Sequence, residues 1–270
     1  MLIIGEKING AIPRVARAIS ERDEKYITNL VKVQEEAGAA YLDVCAGTSS
    51  QEEYDALKWL IEVVQRTAQK PICIDSPDPH MLVKVFPLIE KPGIINSLSG
   101  EGDKCEVLLP LLESNSDWQV IILACDNAGI AASADDKTRI AFDLINKASE
   151  FGIAQNRIHV DPLVLALSAV GDAALNFCEA VRRIKEKYPE VSVTAALSNI
   201  SYGMPVRKLV NKNFLVLAMA AGLDSIIGDP LDKDVIETIY ATEALLDNDR
   251  FCRNYNKAFR SGLIGPVKTT

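Results

Sequence analysis

Short apolar runs rich in β-branched residues alternate with longer amphipathic stretches about eight times along this chain, and few architectures accommodate that rhythm. The strand candidates are residues 2–4, 40–44, 72–74, 93–95, 120–124, 158–160, 193–197 and 225–227. Between them, Leu57, Leu60, Ile61 and Val64 recur at helical spacing within 52–67, as do Leu175, Cys178, Val181 and Ile184 within 172–188. Both stripes predict helix faces turned to a core. Asp172 is placed to cap a helix N-terminus, and Gly38, Gly152 and Gly222 fall where helices should end. Strand–helix alternation with short connections calls for parallel strands and right-handed crossovers. Eight such units in 270 residues fit a closed (β/α)8 TIM barrel better than an open doubly wound sheet, and no glycine-rich dinucleotide fingerprint follows the first strand. No Pro/Ser linker, repeat or low-complexity tract divides the chain. Residues 1–270 are therefore expected to form a single α/β domain, with a short C-terminal helical tail after Leu246.

A net charge of −8 argues against nucleic-acid backbones as partners, because those require clustered Lys and Arg to displace counterions. The apolar runs break well short of the roughly 20 residues needed to cross a bilayer. The start, MLIIGEKING, lacks a basic region followed by an extended apolar one, so a cytoplasmic protein with no membrane role is expected. Cys45, Cys73, Cys105, Cys125, Cys178 and Cys252 form no CxxC pair and read as reduced thiols; no metal site is expected from them. Of the histidines, His80 and His159, the latter lies between Ile158 and Val160 and reads as structural.

Lined up, the strand candidates all deliver an acid or an amide to the same end: Glu6 and Asn9, Asp43, Asp75, Asn96, Asp126 and Asn127, Asp161, Asn199 and Asp229. In a barrel that end is the C-terminal mouth, where catalytic groups from separate strands converge. Any one of these residues could instead cap the helix that follows. Asp75, Asn96, Asp161 and Asn199 come at or just after the last apolar residue, several positions ahead of the next helix, and are expected to point into the mouth. No Ser/His/Asp set and no phosphate-cradling glycine loop accompanies them. Carboxylates accept paired hydrogen bonds from an amino group and an adjacent ring N–H, and amides read the remaining edge. A flat, polar-edged heterocycle such as a pterin suits that inventory, although composition alone does not select it.

The tags GEKIN, LDVCAG, ICIDS, INS, HVDP and LSNIS, followed by Arg207, come in an order and at separations that resemble the methyltetrahydrofolate:corrinoid-protein methyltransferases, from residue 2 to about 252. The resemblance implies the pterin-binding barrel also found in dihydropteroate synthase and in the folate module of methionine synthase. It implies that Asp75, Asn96 and Asp161 bind the pterin, that Ser198 and Arg207 add contacts, and that Asn199 hydrogen-bonds the methyl-bearing nitrogen. Glu6, Asp43 and Asp126 are additional candidates. The implied reaction moves a methyl group between 5-methyltetrahydrofolate and the cobalt of a corrinoid, in either direction. Tetrahydrofolate is then the substrate, and a corrinoid protein is the partner, because no corrinoid-binding DxHxxG tag is present. A homodimer is implied as well. Two positions depart from the family pattern: Cys45 stands where an amide is common, and Tyr202 where a long polar side chain is common. The competing readings are a dihydropteroate synthase, whose basic run at the seventh strand is replaced here by LSNIS, and a non-catalytic pterin-binding subunit. A metal-dependent aldolase is a third, but no catalytic Lys is evident at a strand end.

Overall fold

The computed structural model describes residues 1–266. Its strands are β1 (Leu2–Asn9), β2 (Tyr41–Cys45), β3 (Ile72–Asp75), β4 (Ile94–Gly100), β5 (Gln119–Asp126), β6 (Gly129–Ile130), β7 (Ile158–Asp161), β8 (Ser192–Val193) and β9 (Ser225–Gly228). They lie in the order β8-β7-β5-β4-β3-β2-β1-β9, all parallel, with β6 folding back antiparallel on β5 as a short hairpin. The ends of this path meet: Ala196 bridges Ile227, the Ile227 N–H donates to Ala195 O at 2.9 Å, and the Asp224 N–H donates to Val193 O at 2.9 Å. The sheet therefore closes into an eight-stranded TIM barrel, and the open doubly wound alternative is set aside.

The seventh barrel strand is shorter than the expected 193–197. Residues 194–196 stay extended and reach both neighbours, with the Thr194 N–H donating to Val160 O, but Leu197–Ser201 winds into a 3₁₀ turn. Alanines favour strands weakly, and Ser and Asn compete for the backbone, so the run AALSN leaves the sheet early.

Helices α1 (Pro13–Glu21), α2 (Glu24–Glu36), α3 (Glu53–Thr67), α4 (Pro79–Val85), α5 (Lys104–Glu113), α6 (Ala134–Glu150), α7 (Ala173–Lys187), α8 (Arg207–Ala221) and α9 (Lys233–Leu245) surround the barrel, and α10 (Arg253–Arg260) forms the expected tail helix. The stripe of α3 is buried as expected. In α7 it is rotated: Phe177, Cys178, Ala180, Val181 and Ile184 face the core, and Leu175 is 70% exposed. Asp172 sits at the N-cap of α7, yet its side chain makes no capping bond. Gly222 does end α8, in the left-handed conformation that a Cβ disfavours. All six cysteines are free thiols, and no described helix is long and apolar enough to cross a membrane.

Inside the barrel, side chains alternate in and out along each strand and stack in layers. Near the N-terminal end, His159 donates from Nε2 to Gln119 Oε1 at 2.6 Å, and Gln119 Nε2 donates to the Tyr41 hydroxyl at 3.1 Å. Burial pushes the His159 imidazole down to about 4, so it is neutral and structural. Above it, Ile4, Cys73, Ile94 and Ile121 form an apolar plug. What lies above the plug is polar, and that layer is the mouth.

Candidate functional site

Strand register builds the mouth. Cys45 on β2 pairs with Asp75 on β3, and Asp75 pairs with Asn96 on β4, which sets three polar side chains in a row, about 4.8 Å apart from strand to strand. Two residues earlier on β2, and facing the same way, buried Asp43 lies beneath this row and accepts from Asn96 Nδ2 at 3.2 Å. On β1 the pairing with β2 shifts between Gly5 and Ile8, an irregularity that breaks the ladder around Glu6 and Lys7. The Lys7 N–H is satisfied by Gln34 Oε1 at 3.0 Å, from α2. That close approach requires glycine at position 5, where a Cβ would stand 2.5 Å from the same oxygen. Lys7 Nζ then bonds Asp229 at 2.9 Å across the rim.

Gathering so many acids in a sheltered mouth raises their pKa values. Burial first, and then the neighbouring Asp75, push the Asp43 carboxyl well above the carboxylate range. Burial takes Asp75 up to about 6, with Glu53 adding to the rise and the Cys45 thiol opposing it. Glu6 reaches about 7 through burial and repulsion from Asp229, partly offset by Lys7 and Arg207. Burial and the adjacent Asp75 also push the Cys45 thiol up, so it stays neutral.

Asp161 ends β7, fully sequestered, and burial lifts it to about 6 against two backbone donors and the charge of Lys137. Those donors are the Leu163 N–H, at 2.7 Å from Oδ1, and the Ala196 N–H, at 3.4 Å from Oδ2. Each carboxylate oxygen keeps a free lone pair for a ligand.

The 3₁₀ turn brings Ser198 and Asn199 to the rim of the same mouth, with the Asn199 side chain exposed. Asn199 therefore sits on the turn that follows the strand rather than at the strand's end. Arg207, at the start of α8, bonds Ser198 O at 2.7 Å through Nη2 and Ser201 Oγ at 3.1 Å through Nε. In this state its guanidinium braces the turn. The loop after β7 braces it too: the Leu167 N–H donates to Ile200 O and Ser168 Oγ to Tyr202 O.

Not every strand-end residue joins the site. Asp126 accepts from the Ala128 N–H in the β5–β6 hairpin, Asn127 from the Gly102 N–H, and Asn9 from the Ala11 N–H; these are loop hydrogen bonds, and the helices α1, α5 and α6 have Ile12, Asp103 and Ser133 at their N-caps instead. Sequence reasoning missed Glu53, which accepts from the Oγ of Ser76, the residue after Asp75, and whose charge acts on Asp75, and Lys137, which is buried beside Asp161. Lys137 had a signal, since it falls in phase with Ile140, Ala141, Leu144 and Ala148 on the buried face of α6.

The mouth is thus lined by sheltered carboxylates and an amide brought together from separate strands. Residues 14–229 match the family described as pterin binding enzyme. The chain is 49% identical, over 269 residues and 99% of both chains, to the methylcorrinoid:tetrahydrofolate methyltransferase of Eubacterium limosum. It is 28% identical to the methionine synthase of Mycobacterium tuberculosis over 84% of this chain, a stretch that spans 20% of that longer protein. In fold it is similar to the dihydropteroate synthase of Xanthomonas albilineans in complex with 7,8-dihydropteroate, with a TM-score of 0.65 at 16% identity, covering 91% of this chain and 92% of that one. The dihydropteroate synthase of Coxiella burnetii gives 0.62 at 15% identity, covering 90% and 94%. With the barrel closed, the carboxylates and amides gathered at its mouth and a family match running from α1 through β9, the chain belongs to the pterin-binding enzyme family.

Proposed function

We propose that this protein transfers a methyl group from the corrinoid of a separate protein to N5 of tetrahydrofolate. The observation that carries the reading is the 49% identity to a methylcorrinoid:tetrahydrofolate methyltransferase across 99% of both chains. The mouth chemistry agrees with it. Asp161, with a free lone pair on each oxygen, accepts the amino group and ring N–H of the pterin; Asp75 and Asn96, side by side, take further ring polar atoms; Asn199 reaches N5 from the rim turn. The partner's corrinoid supplies the methyl group and takes back the electron pair of its cobalt–carbon bond. N5 contributes the electron pair of the new bond, gains positive charge, and then gives up its proton. The acid cluster offers acceptors for that proton, and Glu6 titrates nearest neutrality. Mixing the enzyme with tetrahydrofolate and methylated corrinoid protein should discharge the corrinoid spectrum with formation of one methyltetrahydrofolate per methyl group. Folate binding with no spectral change would make the chain a pterin-binding subunit and not a transferase.

The pterin donates to these carboxylates, so they must be ionised to receive it. Asp75 and Asp161 both titrate at about 6 in the free protein. For acids raised in this way, ligand affinity is fully present above pH 7 and is lost as pH falls through 6. Calorimetric titration with tetrahydrofolate should show affinity that is flat from pH 8 to 7 and roughly tenfold lower by pH 5.5. A profile flat to pH 5 would detach these acids from the ligand.

The rim supports a docking role. Ile130, Leu175, Tyr202, Val206 and Leu231 are all exposed on the segments that follow β5, β7, β8 and β9, which are neighbours around the barrel. Exposed apolar side chains gathered on one side of a mouth suit a transient protein partner. Tyr202, 72% exposed, is the aromatic anchor of this patch. Tyr202→Ala should raise the KM for the corrinoid protein about tenfold, a cost of about 1.4 kcal/mol, while folate affinity stays unchanged. An unaltered KM would move docking elsewhere. We further propose that the chain works as a single-domain homodimer in the cytoplasm, with the helical exterior as its interface and the mouth left open.

A further inference from the structure

We propose that Lys137 is a positioning residue that holds the loop after β7 in the shape aiming Asp161 into the mouth, and that it supplies the positive charge facing that carboxylate. This rests on Asp161 binding the pterin, as argued above.

Lys137 is 1% exposed, on a face of α6 otherwise filled by Ile140, Ala141, Leu144 and Ile145. A buried ammonium is costly unless it is well partnered. Its Nζ donates to Pro162 O at 2.9 Å and to Leu163 O at 2.5 Å, two successive carbonyls of one loop turned to one donor. Leu163 is held at φ 56°, in the left-handed region that a branched side chain rarely adopts. Its N–H is bound by Asp161 Oδ1, so the ammonium and the carboxylate grip the same residue through its carbonyl and its N–H. The carbonyls give hydrogen bonds but no countercharge. The group whose charge acts on Lys137 is Asp161; the Cys125 thiol on β5, pushed up to about 11 by burial and by Glu101, stays neutral beside it.

Other ionisable groups nearby on α6 and α7 are engaged at the surface. Arg183 pairs with Asp135 and Glu179, and Arg139 lies near Asp126, Asp136 and Asp143. β8, residues Ser192–Val193, carries no ionisable side chain. The mouth's other cations are committed elsewhere, Lys7 to Asp229 and Arg207 to the 3₁₀ turn. Burial lowers Lys137 to about 8, so it remains charged at neutral pH. The braced loop continues to Leu167 and Ser168, which hold the turn carrying Asn199. One buried lysine thus steadies both the acceptor for the pterin and the support of the amide at N5.

The test is a carbon-13 carboxyl titration of the free protein, with the Asp161 resonance assigned by its loss in Asp161→Asn. Lys137→Met should raise the Asp161 midpoint by about one unit or more, whereas Lys137→Arg, which keeps the charge, should leave it within about half a unit. Tetrahydrofolate affinity of Lys137→Met should fall about three- to tenfold at pH 6.5, the fraction of Asp161 that such a shift protonates, and recover as pH rises to 8.5. Should Lys137→Met not fold, Lys137→Gln is read in the same way. An Asp161 midpoint unchanged in the neutral variant, or shifted equally by arginine, overturns the proposal. If the midpoint moves as stated but the unmodified protein binds no tetrahydrofolate, the brace stands and the assignment of the site to folate fails.

Discussion

Asn199→Ala is expected to slow methyl transfer by about 10²–10³ at saturating substrates while changing tetrahydrofolate affinity only a few-fold. The asymmetry follows from where charge develops. As N5 of the folate bonds to the methyl carbon, its N–H becomes the acidic N–H of an ammonium, and a carbonyl oxygen held beside it gains strength on the way to the transition state. An interaction of that kind appears in the rate, whereas one present equally before and during reaction appears in affinity. Loss of one preorganised partner of developing charge typically costs about 2.7–4 kcal/mol. The fold should tolerate the change, because the turn is held by Arg207 on Ser198 O and Ser201, and by Leu167 and Ser168, none of which uses the Asn199 side chain. Single-turnover transfer from methylated corrinoid protein, with affinity measured separately, decides the matter. A variant that binds poorly yet transfers normally once saturated would make Asn199 a recognition residue.

Asp161→Asn should show the opposite pattern, with tetrahydrofolate bound about 100-fold more weakly, a loss of about 3 kcal/mol, and little change in the rate once the site is filled. The carboxylate can accept two parallel bonds from the pterin while its other lone pairs hold the Leu163 and Ala196 N–H groups. The asparagine amide is the same size but must turn an NH₂ toward one of those donors, leaving a buried donor without an acceptor. It also removes the charge that makes each bond strong. Calorimetry at pH 7.5 with thermal unfolding as a control separates this from collapse of the loop. Affinity within threefold of the unmodified protein, in a folded variant, would return Asp161 to a purely structural role at the end of β7.

Much of this architecture could be read along the chain, because the signals are local. Runs such as ICID and IHVD need only β-branched residues and a period of two to declare themselves, and Leu57, Leu60, Ile61 and Val64 need only a period of 3.6. The acid or amide ending each run marked the mouth for the same reason. Errors arose where a local signal competed with packing. Leu175 has the right spacing for the core face of α7, but Phe177 and Ala180 are turned inward instead, and the run VTAAL leaves the sheet at Leu197, where the 3₁₀ turn begins.

The amino-acid order alone determined the count of strand–helix units, their polarity and the kind of side chain delivered to each strand end, since these are encoded within windows of a few residues. Tertiary structure decided which of those side chains act together. Register across β2, β3 and β4 aligned Cys45, Asp75 and Asn96, the shift in β1 placed Glu6 and Lys7, and closure at Ala196 and Ile227 set the turn carrying Asn199 beside β9. It also buried Lys137 beside the Asp161 loop, 24 positions further along the chain. Strand register and the cost of burying a charge both depend on partners far apart in the chain, and a local pattern carries no information about where those partners will stand.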